Sequence, residues 1–198
     1  MRSIIKDIKD YCYGNRWYLF IPITVFIIVD VFLSIISKDH VSILFYGTIF
    51  LARLGGYFLF SFAGNLLSSI AGIFFELLLP LIFLRYFIKQ KLYLGIVFCI
   101  YFLAMVLLDL SINMADAKYL QLDVINIIGV KIEMHDWNII FSTLGILDKS
   151  ELIANIVKYI SYILAVLSLS LSIWMTYLSI YSSIVISRLK KNQLLSKT

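Results

Sequence analysis

Histidine, cysteine and proline are nearly missing from this chain of 198 residues, which contains two of each. Cys12 stands near a basic N-terminal segment and Cys99 inside an apolar run, so no disulfide framework and no thiolate metal cluster is expected. His40 and His135 lie far apart in the sequence, and no H-E-x-x-H motif is present. Charge is thin as well: Asp, Glu, Lys and Arg make up 15% of the residues, against 62% hydrophobic, too little to cover a soluble domain. These shortages argue against redox chemistry and against nucleic acid as a partner.

What is abundant is uninterrupted apolar sequence. Runs at 18–36, 66–84, 93–113 and 152–187 each have the length and composition to cross a bilayer. The fold expected is an all-α integral membrane protein, one transmembrane domain over 1–198 built as a four-span helical bundle. Residues 41–62 are apolar but carry Arg53 and the Gly55-Gly56 pair, which suggests a re-entrant or interfacial hairpin, with a fifth span as the rival. Residues 114–151 form a structured extracytoplasmic loop in this reading. Within it Val130, Ile132 and Met134 alternate with Lys131 and Glu133, a hairpin signal. The stretch after Trp137 has the pattern of an interfacial helix with Asp136 as its cap. Asp148 and Glu151 have capping-box spacing for the last helix.

Basic residues set the orientation. The N-terminal segment, the 85–91 turn and the C-terminal tail hold four, three and four Lys or Arg, 11 of the 17 in the chain. Four spans place all three on one side, and the positive-inside rule makes that side the cytoplasm of a bacterial inner membrane.

Polar groups inside such a bundle are expensive, and Asp30, Glu76 and Asp109 all fall within expected spans. They are expected to line an outward-facing polar pocket together with Arg53 and Asn113. Asp109, Asn113 and Asp116 recur at i, i+4 and i+7, one face of a helix. The leading functional expectation is a pocket that binds a ligand or cation, or that docks a partner subunit. The alternative is a membrane hydrolase or transferase acting on a lipid or lipid-linked substrate, with Asp109, Asp116 and His135 holding a divalent metal such as zinc. Proton- or ion-coupled transport through the intramembrane acids is the third.

Along the last helix Ser161, Ala165, Ser168, Ser172, Thr176, Ser179 and Ser183 make a small-residue stripe. Such a stripe serves close helix packing, within the chain or in a homo-oligomer. Gly64-Asn65 and Asn113-Met114-Ala115-Asp116 echo the aspartate motifs of lipoprotein signal peptidases, but Ser68 stands where the first aspartate belongs. The combination MADA at 114–117, HDW at 135–137 and LGIL at 144–147 resembles a pattern of uncharacterised bacterial multi-pass membrane proteins. That resemblance implies no particular activity.

Overall fold

Apolar sequence in a solvent without hydrogen-bonding groups must satisfy its backbone internally, and a helix does so within one segment. The computed structural model follows that rule through the residues it describes, which are 6–8, 10–12, 20–36, 43–121, 125–127, 130–132 and 136–195. Its elements are α1 (Phe20–Ile36), α2 (Ile43–Phe60), a 3-10 turn (Ser61–Ala63), α3 (Asn65–Lys89) and α4 (Tyr93–Asp116). There follow β1 (Ile125–Ile127), β2 (Val130–Ile132), α5 (Asp136–Thr143), a second 3-10 turn (Leu147–Lys149) and α6 (Ser150–Leu195). Three of these helical stretches are long and apolar enough to cross a membrane: α3, α4 and Leu147–Arg188. α1 and α2 contribute shorter apolar helices, Ile21–Asp30 and Gly47–Ala63.

α4 is the axis of the bundle. Val97, Tyr101, Ala104, Met105, Val106, Leu108 and Leu110 are all buried along it. α6 packs on α4 through the small-residue stripe. Ser161 Oγ donates to the Ala104 carbonyl and Ser168 Oγ to the Val97 carbonyl, each at 2.8 Å. The register runs forward on α6 and backward on α4, so the two helices are antiparallel. Further along α6, Ser172 Oγ and Thr176 Oγ1 meet Thr24 Oγ1 of α1 at 2.6 and 2.8 Å. The stripe is therefore an interior seam, where small residues let backbones approach and hydroxyls find partners on the next helix.

The turn between α3 and α4 places Lys91 in the left-handed region, at φ 54°, while Leu92 N donates to the Phe87 carbonyl at 3.0 Å. This closes α3 in the manner of a Schellman cap, with lysine where glycine is usual. Lys91 Nζ pairs with Asp7 at 3.1 Å, and Tyr11 sets its ring edge-on against Tyr93. The N-terminal helical residues thus lie at this turn. Because α6 runs back along α4, its Arg188 end comes to the same end of the bundle.

Three sequence expectations need correction. Gly55 and Gly56 do not break the 41–62 segment, since α2 continues through them to Phe60 and the chain turns at Ser61–Ala63 and Gly64. The glycines serve contact instead, because a Cβ on Gly56 would lie 2.5 Å from the Ala71 carbonyl oxygen of α3. The Asp148–Glu151 capping box does not form. Asp148 pairs with Lys118 at 3.2 Å and Glu151 accepts from Tyr119 at 3.0 Å, bonds that tie the end of α4 to the start of α6. Nor does Asp136 cap α5: it is the first helical residue, and neither carboxylate oxygen has a hydrogen-bond partner. The expected hairpin is present, with β1 antiparallel to β2 and Ile127 opposite Val130. Met134, His135 and His40 lie outside the described residues.

Candidate functional site

The close glycine contact between α2 and α3 determines where Arg53 goes. Gly72 of α3 lies against the Arg53 stem, its absent Cβ only 3.2 Å from Arg53 Cγ. The guanidinium is thereby turned into the bundle, and Arg53 is 5% exposed. An arginine at that depth needs carboxylates, and it has them.

Arg53 Nε donates to Glu76 Oε2 at 2.8 Å, while Nη2 lies 2.7 Å from the same oxygen and 3.0 Å from Asp109 Oδ2. Glu76 comes from α3 and Asp109 from α4, so one fork draws three helices together. The i, i+4 spacing then adds Asn113, whose Nδ2 donates to the Asp109 carbonyl at 2.8 Å and to Oδ2 at 3.0 Å. Glu76 Oε2 and Asp109 Oδ2 share one nitrogen, Arg53 Nη2, so the two carboxyl groups are close neighbours. Two carboxyl groups can share a hydrogen bond only if one of them carries a proton. Glu76 Oε1 is buried and has no hydrogen-bond partner.

A fourth charged residue belongs here that sequence reasoning placed elsewhere. Asp136, at the start of α5, is 2% exposed and lies in the field of Arg53. Burial pushes its carboxyl up to about 6, with the Arg53 cation pulling the other way. Trp137 follows it, with Nε1 also buried and without a partner. The sequence signal was a carboxylate opening a short apolar helix, DWNIIF, which a solvent-exposed cap would not need to bury. Two carboxyls therefore bind one guanidinium directly, and a third lies in its field. Fully ionised, the centre would carry a net charge of −2 inside an apolar bundle.

The remaining expected residues disperse. Asp30 is buried on α1 and accepts from the Tyr101 hydroxyl of α4. Tyr101 precedes Asp109 by eight residues, a rise of about 12 Å. Asp30 is thus a separate polar contact, and the expected lining of Asp30, Glu76 and Asp109 is divided in two. Asp116 turns to the end of α4, where its Oδ1 accepts from the Gln121 backbone at 2.8 Å. The metal set of Asp109, Asp116 and His135 is accordingly not assembled among the described residues, and His135 lies outside them. No group of three or more His, Cys, Asp or Glu side chains among the described residues is arranged to hold a metal ion, so no metal ligands are identified.

No family model, no curated protein and no solved structure matches this chain.

Proposed function

We propose that this is a bacterial inner-membrane protein that binds a cation at the Arg53–Glu76–Asp109 centre, the cation being a proton held between the two carboxyls. In this reading α1, α3, α4 and α6 are the four spans. α2 is an interfacial or re-entrant helix that carries Arg53 in from the side, and both termini are cytoplasmic. The orientation is supported by the grouping of Lys91, Asp7 and the Arg188 end of α6 at one end of the bundle, where their positive charge excess favours the cytoplasm.

One observation carries the proton reading: two buried carboxyls, Glu76 and Asp109, crowd on the same nitrogen of a single guanidinium, at 2.7 and 3.0 Å from Arg53 Nη2. Coulomb repulsion between adjacent buried carboxylates is relieved by one shared proton. Proton occupancy then controls how firmly Arg53 holds α2 against α3 and α4. A bound proton or its loss is thus converted into the relative hold of three helices.

The test is infrared spectroscopy of the full chain in lipid nanodiscs in mildly alkaline buffer. A carboxylic-acid C=O band from a buried group is expected, shifted by deuterium, and lost in both Glu76→Gln and Asp109→Asn. Absence of such a band from the wild-type protein would overturn the proposal.

A further inference from the structure

A proton held between Glu76 and Asp109 has to arrive from water, and the two directions along α4 differ sharply. Toward its N-terminal end come Leu108, Val106, Met105 and Ala104, all buried and apolar. The next ionisable side chain of α4 that way, Tyr101 with its bond to Asp30, lies eight residues off, about 12 Å of helix rise. Toward the C-terminal end stands α5. Its Asn138 Nδ2 donates to the Ala117 carbonyl at 2.7 Å, and its first residue is Asp136. Beyond lies the exposed polar group of Lys118, Asp148 and Gln121.

Asp136 is poorly explained as a structural residue. A buried carboxylate that stabilises a fold accepts donors, and one left without them costs roughly 1–3 kcal/mol or more. Asp136 accepts none at either oxygen, although it is almost fully buried. Its helix packs against α3 and α4, which carry Glu76 and Asp109, and it lies in the field of the same guanidinium. The other charged groups on the elements around α5 have different engagements. Asp116 accepts from Gln121, Asp148 pairs with Lys118, Glu151 accepts from Tyr119, and Lys149 is exposed.

We infer that Asp136 is the proton-exchange residue of this centre, taking a proton from water on the α5 side and passing it to the Glu76–Asp109 pair. The inference rests on the proton-binding function proposed above and adds a direction to it: the centre fills and empties from the α5 end. In the transfer an O–H bond on Asp136 breaks and one forms on a carboxylate oxygen of Glu76 or Asp109, with water as carrier. No electrons move, Asp136 is left as the carboxylate, and Arg53 remains a cation throughout. A carboxyl that titrates near 6 is suited to the exchange, since water near neutrality can both load and empty it.

The experiment follows the deuteration of the buried carboxylic-acid band after nanodisc-embedded full-length protein is moved into D2O. The Asp136→Asn variant is expected to retain the band but to exchange it about a hundredfold more slowly. Asp136→Glu is expected to restore a rate close to wild type, which a merely structural role would not predict. An unchanged rate in Asp136→Asn, with the band present, overturns the role of Asp136 alone. A wild-type protein without the band overturns the proton-binding reading beneath it. Helical circular dichroism of each variant shows that the fold is retained.

Discussion

Gly56 of α2 and Ala71 of α3 touch backbone to backbone: a Cβ on Gly56 would stand 2.5 Å from the Ala71 carbonyl oxygen and 2.8 Å from the Gly72 Cα. Those atoms belong to a helix main chain and cannot swing aside. The contact lies about one turn from Arg53, so it sets the distance over which the guanidinium must reach Glu76. A packing detail of the glycine pair thereby fixes the electrostatics of the centre.

Gly56→Ala should therefore destabilise the protein by about 1–3 kcal/mol, the usual cost of overpacking. Gly55 has nothing within 4 Å of the place its Cβ would take. Gly55→Ala should be neutral or stabilise by up to about 1 kcal/mol through helix propensity. Thermal unfolding of both variants in mild detergent checks the contrast. Equal effects would show that α2 does not pack on α3 through Gly56.

Arg53→Met removes the cation from between Glu76 and Asp109. Breaking a buried ion pair from one side costs about 3–5 kcal/mol. The loss should be partly recovered in Arg53→Met with Glu76→Gln, because the carboxylate left uncompensated is then gone. A double-mutant cycle on melting temperature measures the coupling. Strict additivity would mean that the two residues do not interact.

The pH dependence of Asp136 has a definite sign. Its folded-state value of about 6 lies above the ordinary 3.8 of aspartate, so the folded protein binds this proton more tightly than the unfolded chain does. The ionised form is the strained one. Below about 4 this group exacts no penalty, and the penalty grows as pH rises to about 6 and then levels at roughly 3 kcal/mol. Asp136→Asn should accordingly match wild type in acid and exceed it in stability near neutrality. Trp137 reports the same event. With Trp17 and Trp174 replaced by Phe, its emission should change with a midpoint near 6 and stay flat in Asp136→Asn.

On α6, Ser168 is fully buried against α4, whereas Ser170 is exposed and bonds only to its own helix at Val166. Ser168→Leu should destabilise by about 1–3 kcal/mol through overpacking, more once the bond to Val97 is counted. Ser170→Leu should stay within about 0.5 kcal/mol. Comparing their melting temperatures tests whether the stripe is interior.

How far the sequence could be read depended on the kind of interaction. Helices over 66–84, 93–113 and 152–187 were visible because apolar length is a one-dimensional property, and α3, α4 and α6 include those ranges. Arg53, Glu76, Asp109 and Asn113 stood out as polar groups in apolar runs, and they do meet. Their depth along the axis was not legible, which is why Asp30 was grouped with them although it bonds to Tyr101. Gly55-Gly56 looks like a break in the sequence, because a glycine weakens an isolated helix. A neighbouring helix reverses that effect when it needs the space. Asp136 looks like a cap for the same reason: its residue type and position fit a local rule, while its burial is decided by α3 and α4, on which α5 packs.

α6 runs unbroken for 46 residues from Ser150 to Leu195, close to 69 Å at the rise of an α-helix. A bilayer's hydrocarbon is about 30 Å thick, so the rod is more than twice as long as a perpendicular crossing needs. Its first turn is tethered at Glu151 to the loop beside α5, and its middle is keyed to α4 by Ser161 and Ser168. A continuous helix resists both bending and torsion, so a small rotation imposed at the α5 end is delivered at the opposite terminus without a hinge to absorb it. Mechanically, α6 is a single rigid rod, and the serine seam is where it is held to α4.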